Sequence, residues 1–289
     1  MSRNYAFQSP STSTSPKSIK WGKITILILF EQNESSFSPC CLNFKLKRCN
    51  NQFQALFLVG NNVSIEATTS VMISPMKFVG ENLTCNRSGR EIFSRLHFEV
   101  RSGEVLLITG KNGAGKTSLL RLMTGLSRPE TGSIHWDDGD IYCFPERHRQ
   151  RIAYVGHADA LKSVLTVSEN LQLWIEIGGI TQSKELVDEA LSTYGLSDLR
   201  DTPVGELSTG QRRRVALSRL LAADSSLWLL DEPTIALDED AIVILINSIN
   251  QHRRQGGMAV IATNAPIDIG PERLLDLRRH QGDDFDNSF

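Results

Sequence analysis

The alternation of apolar and polar residues becomes dense from Lys77 onward and predicts a domain of strands and helices. Phe78–Val100 is predicted to form a small antiparallel β-region, in which Ile92–Val100 (IFSRLHFEV) alternates as a half-buried strand does. Three short apolar runs have the length and composition of buried strands: Glu104–Thr109, Leu227–Asp231 and Met258–Thr263. Strands of this kind separated by helical segments predict an α/β fold.

Apolar residues at helical spacing predict the helices between those strands. The first is Ser118–Thr124 and the last is Glu239–Gln255. Between them, residues 166–204 are predicted to form a helical subdomain, whose second helix ends at Gly195 as a C-cap. Two side chains of this subdomain are predicted to be core residues rather than ligand contacts: Trp174 and Leu199.

Residues 1–75 lack this periodicity and differ in composition. They contain the polar stretch SPSTSTSPKS and have no acidic residue before Glu31. A Ser-rich, basic and acid-poor start is the composition of an organelle transit peptide, which is one interpretation. The alternative is that translation starts at Met76, so that the preceding stretch is a disordered extension or a gene-model artefact. The domain itself is predicted to cover residues 76–280, and residues 281–289 are predicted to be a solvated acidic tail.

Composition and charge are those of an ordinary globular protein. The chain has 289 residues, of which 22% are charged and 40% hydrophobic, with a net charge of −2. Because this balance gives no basic footprint, we expect no nucleic-acid partner. No apolar run approaches the roughly 18 residues that a membrane-spanning helix needs. If the protein moves anything across a membrane, another chain must supply the path.

Two further features favour structural interpretations over chemical ones. The five cysteines have no CxxC pair or other metal-binding spacing, so unpaired thiols in a reducing compartment are expected. They are Cys40, Cys41, Cys49, Cys85 and Cys143. The run Arg212–Arg214 is predicted to form a solvated helix face, because successive helical residues point in different directions and cannot make one flat basic patch.

The stretch Gly110–Thr117 (GKNGAGKT) matches the pattern GxxxxGK[ST] of a phosphate-binding loop. Its glycines let successive backbone N–H groups turn toward an anion, Lys116 adds a positive charge, and the Thr117 hydroxyl can ligate Mg²⁺. An apolar run precedes the loop and a helical segment follows it, which is the context that the motif requires and that a chance glycine-rich turn lacks. The nucleotide-binding residues predicted here are Gly110, Lys111, Asn112, Gly113, Ala114, Gly115, Lys116, Thr117 and Ser118.

Two other motifs indicate which kind of nucleotide-binding protein this is. The apolar run Leu227–Glu232 ends in two carboxylates, of which Asp231 is assigned to holding Mg²⁺ through water and Glu232 to polarising the attacking water. Upstream, Leu207–Gln211 (LSTGQ) precedes a helical segment and offers a hydroxyl and N–H groups to phosphate. One nucleotide does not need two such phosphate sites, so the second is predicted to serve a partner's nucleotide. Its residues are Ser208, Gly210 and Gln211.

These motifs, in this order, resemble the ATP-binding subunit of an ABC transporter over Lys77–Arg279. The resemblance includes a D-loop, Ala236–Asp238, directly after the second motif. Three segments resemble the haem-exporter ATPases of cytochrome c maturation, the CcmA type: Lys111–Trp136, Tyr154–Leu171 and Leu207–Leu221. So does a fourth, His252–Ile269. The resemblance implies a P-loop core with an antiparallel β-subdomain and an inserted helical subdomain, and two subunits that enclose two ATP molecules.

The chain departs from the family pattern at several positions. Gly156 and His157 stand where most ABC ATPases carry Pro-Gln in the Q-loop, so His157 is assigned to γ-phosphate sensing, with a surface loop histidine as the alternative. Asn264 stands where the family has a switch histidine; an amide can donate a hydrogen bond there but cannot relay a proton. Thr209 replaces a glycine of the usual LSGGQ. Arg87 takes the place of the aromatic residue that stacks on adenine, and a solvated arginine is the alternative.

The resemblance implies an ATPase that energises haem export or haem handling in cytochrome c-type biogenesis. Its implied partners are a second copy of the chain and integral membrane subunits, and the expected position is peripheral on the matrix side of the mitochondrial inner membrane. A bacterial inner membrane or a plastid is the alternative position. Because of Asn264, an ATP-dependent structural switch with little hydrolysis remains open as a function. Another ABC transporter, or an ABC-type ATPase of DNA repair or translation, is the weaker option, and the absence of a basic patch counts against the latter.

Overall fold

The computed structural model describes residues 76–178, 184–223 and 225–280, together with five strands nearer the N-terminus. The chain divides into two units, residues 1–74 and 75–289. In the first unit β1 pairs antiparallel with β2, and β3, β4 and β5 form an antiparallel sheet in that order. The bounds are β1 Lys17–Trp21, β2 Ile24–Ile28, β3 Asn43–Cys49, β4 Gln52–Val59 and β5 Val63–Thr69. The assignment of residues 1–75 to a targeting or disordered extension stays a prediction, and the predicted tail 281–289 lies outside the described residues.

An antiparallel sheet begins the second unit, in the order β10-β9-β6-β7. Its strands are β6 Lys77–Arg87, β7 Arg90–Arg101, β9 Thr131–Trp136 and β10 Gly139–Asp140. β6 and β7 pair antiparallel, and the expected alternation is present at the buried residues Leu96, Phe98 and Val100. Phe93 is also buried, but it lies three residues before Leu96, where the register between the two strands shifts. The predicted antiparallel β-region is therefore confirmed.

A parallel sheet forms the centre of the second unit, in the order β11-β12-β13-β8-β14. Its strands are β8 Val105–Thr109, β11 Ile152–Val155, β12 Leu227–Asp231, β13 Met258–Ala262 and β14 Arg273–Asp276. Every residue of β12 and β13 is buried, which explains why these strands appear in the sequence as continuous apolar runs without alternation. The predicted α/β fold is confirmed.

Among the described residues, six α-helices cover the sheets and build the helical subdomain. They are α1 Lys116–Met123, α2 Pro145–Arg151, α3 Val167–Ile177, α4 Lys184–Thr193, α5 Thr209–Ala222 and α6 Glu239–Arg254. α3 starts with a capping box between Thr166 and Glu169, and the Asp238 side chain caps α6. Each cap supplies acceptors for N–H groups that the first helical turn leaves without partners.

The apolar side chains gather into two cores, one on each face of the parallel sheet. One lies beneath the antiparallel sheet and α1, and the other joins α3, α4, α5 and α6. Gly195 has φ of 63°, so the prediction of a left-handed C-cap after α4 is confirmed. The prediction that Trp174 is a core residue is wrong, because 37% of it is exposed, whereas Leu199 packs against the core.

The side chains of two of the five cysteines are described. Cys85 is a buried free thiol and Cys143 an exposed one, while the side chains of the other three cysteines lie outside the described residues. Among the helices that the structure describes, none is long and apolar enough to cross a bilayer.

Candidate phosphate-binding and hydrolysis site

The predicted phosphate-binding loop connects the carboxyl end of β8 to the first turn of α1. Gly113 and Gly115 adopt left-handed conformations, with φ of 84° and 99°. A Cβ atom at Gly115 would lie 2.4 Å from Cγ2 of Ile92, so this position also needs glycine because β7 passes so close. The loop is thus held against the antiparallel sheet, and its N–H groups stand at the positive end of a helix.

Lys116 is the first residue of α1, and only 7% of it is exposed. Its Nζ donates to the carbonyl of Gly110 at 3.0 Å and to Oδ1 of Asn264 at 2.8 Å. It also lies 3.6 Å from Oε1 of Glu232. The ammonium therefore joins the loop, the end of β12 and the turn after β13, and phosphate oxygens are acceptors of the same kind as those it contacts.

Thr117 and Asp231 form the candidate Mg²⁺ site. Thr117 Oγ1 donates to Oδ2 of Asp231 at 2.8 Å, and only 1% of Asp231 is exposed. Burial raises the pKa of this carboxyl, while the Thr117 hydrogen bond lowers it. A nearby cation favours the ionised form of a buried carboxylate, so the pair fits Mg²⁺, which takes one or two protein oxygens and completes its shell with phosphate and water.

Glu232 follows Asp231 at the carboxyl end of β12, and it has an unusual backbone. Its φ is 45°, in the left-handed region, and its N–H donates to the carbonyl of Ala262 at 2.8 Å. Oε2 accepts from the backbone N–H of Asn264 at 3.2 Å, and Oε1 faces Lys116. The carboxylate is therefore held beside the ammonium that would bind phosphate, which is where a group that orients the attacking water is needed.

Asn264 connects both sides of this site through its side-chain amide. Oδ1 accepts from Lys116, and Nδ2 donates to Oδ1 of Asn112 in the phosphate-binding loop. The amide offers an acceptor and a donor at the same time, because its oxygen and its nitrogen are both bonded to Cγ. Asn264 thus bridges the loop and its lysine.

The remaining predicted residues of the loop differ in their surroundings. Ala114 is buried, and its N–H donates to the carbonyl of Lys111 at 3.0 Å. Lys111 and Asn112 are exposed, and Ser118 is half-buried in the first turn of α1. The structure therefore brings together Gly110, Asn112, Lys116, Thr117, Asp231, Glu232 and Asn264.

Two predicted residues lie outside this hydrogen-bonded cluster. His157 is exposed in the loop after β11, and it lowers the pKa of Asp231 against the larger effect of burial. Arg87 is exposed at the end of β6, opposite Arg90 across a hairpin turn. The roles of these two residues in phosphate sensing and base stacking stay predictions.

The second predicted phosphate site lies at the start of α5. Ser208 Oγ accepts from the N–H of Gln211 at 3.2 Å, and Gln211 Oε1 accepts from the N–H of Ser208 at 2.8 Å. Thr209 Oγ1 accepts from Arg212 at 3.3 Å. A Cβ atom at Gly210 would lie 2.9 Å from the carbonyl of Ala236, so glycine here permits close contact with the D-loop. Ser208 and Thr209 are exposed.

The interpretation of Arg212–Arg214 as a solvated face is wrong for its middle residue. Arg213 is only 4% exposed, and its guanidinium bonds to backbone carbonyls on two other segments. Sequence reasoning missed it because the acceptors lie far away along the chain. The available signal was the helical position alone, since Arg213 lies three and four residues before the buried Ala216 and Leu217, on the same face of the helix.

Comparison with known proteins agrees with this geometry. Residues 93–235 match the ABC transporter domain family. The chain is 44% identical over 207 residues to the cytochrome c biogenesis ATP-binding export protein CcmA of Paramagnetospirillum magneticum, covering 71% of this chain and 95% of that protein. It is 40% identical over 192 residues to CcmA of Escherichia coli K12, covering 66% and 91% of the two chains.

The chain belongs to the CcmA-type ABC ATPases. A solved putative ABC transporter ATP-binding protein from Pyrococcus furiosus shares the fold, with a TM-score of 0.64, 23% identity and coverage of 71% of this chain and all of that one. The ATP-binding subunit of another ABC transporter has a TM-score of 0.61 at 24% identity, covering 64% and 78%. Membership of this family implies that the chain binds ATP.

Among the described residues, no group of three or more His, Cys, Asp or Glu side chains is placed to hold a metal ion. The Thr117 hydroxyl and one Asp231 oxygen, 2.8 Å apart, offer two protein ligands, and ATP itself supplies phosphate oxygens.

Proposed function

We propose that this ABC ATPase is the ATP-hydrolysing subunit of an export complex in cytochrome c-type biogenesis, where it energises haem export or haem handling. The observation that carries the proposal is the bonded cluster of Lys116, Thr117, Asp231 and Glu232, in a chain 40–44% identical to CcmA proteins over most of their length. Haem itself enters from the family resemblance alone.

Each residue of the cluster has a role in hydrolysis. Lys116 and the N–H groups of the loop bind the β- and γ-phosphates, and Glu232 orients the water that attacks the γ-phosphorus as the bond to the β–γ bridging oxygen breaks. Thr117 and Asp231 would hold Mg²⁺, which offsets phosphate charge when bound. His157 would sense the γ-phosphate from the loop after β11, and Arg87 would stack on the base.

The functional form is proposed to be a homodimer that encloses two ATP molecules. The exposed Ser208 side chain, with Gly210 and Gln211, lies at the N-terminus of α5, where N–H groups favour an anion. These residues would bind the γ-phosphate of the nucleotide held by the Gly110–Thr117 loop of a second copy. Closure on ATP and opening after hydrolysis would then drive the membrane partner.

Integral membrane subunits of the cytochrome c maturation system are the proposed partners, because translocation needs a path that another chain would supply. We place the protein peripherally at a membrane. The bacterial relatives favour the cytoplasmic face of an inner membrane, whereas the Ser-rich composition of residues 1–75 favours the mitochondrial matrix face or a plastid. Affinity capture from isolated membranes with a C-terminal tag tests the partner. Recovery of DNA-repair or ribosomal proteins in place of maturation subunits would refute it.

ATP turnover in the presence of the membrane partner tests the reaction itself. Glu232→Gln removes the carboxylate charge while keeping the size of the side chain, so it should bind ATP normally and hydrolyse it at least about a hundredfold more slowly. Asp198→Asn is a matched acid-to-amide control in the helical subdomain and should leave turnover unchanged. A wild-type rate equal to that of Glu232→Gln would exclude a hydrolytic role.

A second candidate is an ATP-dependent structural switch with little hydrolysis, and Asn264 favours it. Its amide holds Lys116 and the loop but cannot gain or relay a proton. If the amide limits turnover, Asn264→His should raise kcat about tenfold while the affinity for ATP stays within twofold. An unchanged kcat would show that Asn264 supports normal turnover and would leave no basis for the switch.

A further inference from the structure

Arg213 connects three parts of the ATPase through one buried guanidinium. It lies in the second turn of α5, the helix that Ser208 caps. Nη1 donates to the carbonyl of Gly156 at 2.8 Å and to Oδ1 of Asp159 at 3.1 Å. Nη2 donates to the carbonyls of Asp231 and Glu232 at 3.0 and 2.9 Å. One side chain of α5 therefore binds both the loop after β11 and the end of β12.

The bonds to the end of β12 fix the backbone that carries Glu232. A non-glycine residue at φ of 45° lies in a strained region of the backbone and persists only where its surroundings determine it. The N–H of Glu232 donates to Ala262 on one side, and its carbonyl accepts from Arg213 on the other. Arg213 thus completes the restraint that aims the carboxylate at Lys116.

The bonds to the loop after β11 fix the backbone that carries His157. Gly156, whose carbonyl Arg213 holds, directly precedes that histidine. Farther along, fully buried Asn170 donates to the carbonyls of Lys162 and Leu165 and accepts from the N–H of Lys162. The loop is therefore anchored at its start by Arg213 and near its end by Asn170.

We infer that Arg213 is a positioning residue for ATP hydrolysis. It fixes the backbones that carry Glu232 and His157 relative to α5, the helix that begins at the proposed phosphate site of Ser208. The inference rests on the proposed ATP turnover. None of the bonds described for Arg213 reaches a side chain of the Gly110–Thr117 loop. It acts through three backbone carbonyls and the Asp159 carboxylate. The planar fork matters, because a guanidinium holds acceptors in two directions at once, whereas a lysine ammonium is a point charge on a flexible stem.

Two substitutions separate the contribution of the planar guanidinium geometry from the contribution of the positive charge. Arg213→Lys keeps the charge and Arg213→Met keeps only the apolar stem, and both lose the simultaneous bonds to the two segments. We expect both to lower kcat for ATP on the order of tenfold to a hundredfold, with KM within about twofold, because the phosphate-binding loop is untouched. Asp159→Asn keeps the three bonds from Arg213 to backbone carbonyls, so it should lower kcat less than either substitution of Arg213.

The control is Arg200→Gln, which removes a half-buried arginine paired with Asp188 in the helical subdomain. It should leave kcat and KM unchanged. A merely structural role for Arg213 would lower the folded fraction and the Tm, while kcat per ATP-binding site stayed at the wild-type value. Wild-type kcat in Arg213→Lys would equally overturn the inference, because charge alone would then suffice.

Hydrogen exchange of the full-length protein decides the inference separately from turnover. Amides of residues 156–160 and 231–232 should exchange about tenfold faster in Arg213→Lys than in the wild type, and remain unchanged in Arg200→Gln. If the wild type failed to hydrolyse ATP, the proposed function would be wrong, whereas faster exchange would still show the positioning of both backbone segments by Arg213. Unchanged exchange at both segments would refute it whatever the rate of hydrolysis.

Discussion

At the scale of single residues, the contact between Thr117 and Asp231 predicts a Mg²⁺-dependent defect. Thr117→Val keeps the shape of the side chain but removes the hydroxyl that bonds to Oδ2 of Asp231 at 2.8 Å. A hydrogen bond to a charged group contributes about 1.5–3 kcal/mol, so the affinity for ATP in Mg²⁺ should fall at least about tenfold. Titration calorimetry with Mg²⁺ and with EDTA measures this.

Thr124→Val is the matched control for that experiment. Thr124 ends the same helix, and its hydroxyl donates to the carbonyl of Arg121, far from the loop. It should bind ATP in Mg²⁺ as the wild type does. An equal loss of affinity in EDTA for Thr117→Val would mean that the hydroxyl shapes the loop rather than serving the cation.

At two glycines of the phosphate-binding loop, the same substitution to alanine is predicted to lower the stability of the fold by different amounts. Gly113→Ala and Gly115→Ala both place a Cβ atom at positive φ, which costs about 1–2 kcal/mol. Nothing lies within 4 Å of a Cβ at Gly113, whereas one at Gly115 would clash with Ile92. Urea unfolding should therefore show Gly115→Ala less stable than Gly113→Ala by about 1–3 kcal/mol. Equal stabilities would contradict the close packing of the loop on β7.

At the scale of elements, buried His148 joins α2 to the antiparallel sheet and predicts a pH dependence. Its Nδ1 accepts from Nε1 of Trp136 at 3.0 Å, and its Nε2 lies 2.9 Å from the carbonyl of Met123, which requires the neutral ring protonated on Nε2. Burial lowers its pKa to about 4, against the opposing effect of the backbone hydrogen bonds. The unfolded chain, with a pKa near 6.5, binds the proton more tightly.

Because the folded pKa is depressed, the contribution of His148 is fully present above pH 6.5 and is lost as pH falls toward 4. Between pH 7 and pH 5 this histidine should remove about 2 kcal/mol from the free energy of unfolding. Urea unfolding at both pH values measures the loss. His148→Gln, whose amide does not titrate, should lack this part of the pH dependence; the same slope in both proteins would show that other groups cause it.

The elements also show how far the sequence could predict the site. Lys116, Thr117 and Asp231 were predictable, because the motif and its flanking strand and helix determine where the loop lies and the second motif ends the neighbouring strand. The burial of Arg213 was not, since its acceptors at Gly156 and Asp231 lie 57 and 18 residues away. The periodicity of α3 predicted a buried Trp174, but the guanidinium of Arg219 lies 4.5 Å from the ring centroid at the edge of the core.

At the scale of the whole molecule, the proposed dimer divides each ATP site between two copies, which predicts complementation between two inactive variants. Lys116→Ala removes the phosphate ligand from one half-site. Ser208→Asp alters the other half, and because Asp caps a helix as well as Ser does, α5 is retained while a negative charge faces the phosphate. Each variant alone should hydrolyse ATP no faster than Glu232→Gln.

Mixing the two variants should recover activity, because a mixed dimer holds one site built from an intact loop and an intact Ser208. With random exchange of subunits, half of the dimers are mixed and each has one working site of two, so about a quarter of the wild-type rate is expected. Ser208→Asn, an uncharged cap, should stay more active than Ser208→Asp, which separates charge repulsion from loss of the helix. A mixture as inactive as its components would place both halves of the site in one chain, because only a shared site allows two broken copies to make one whole.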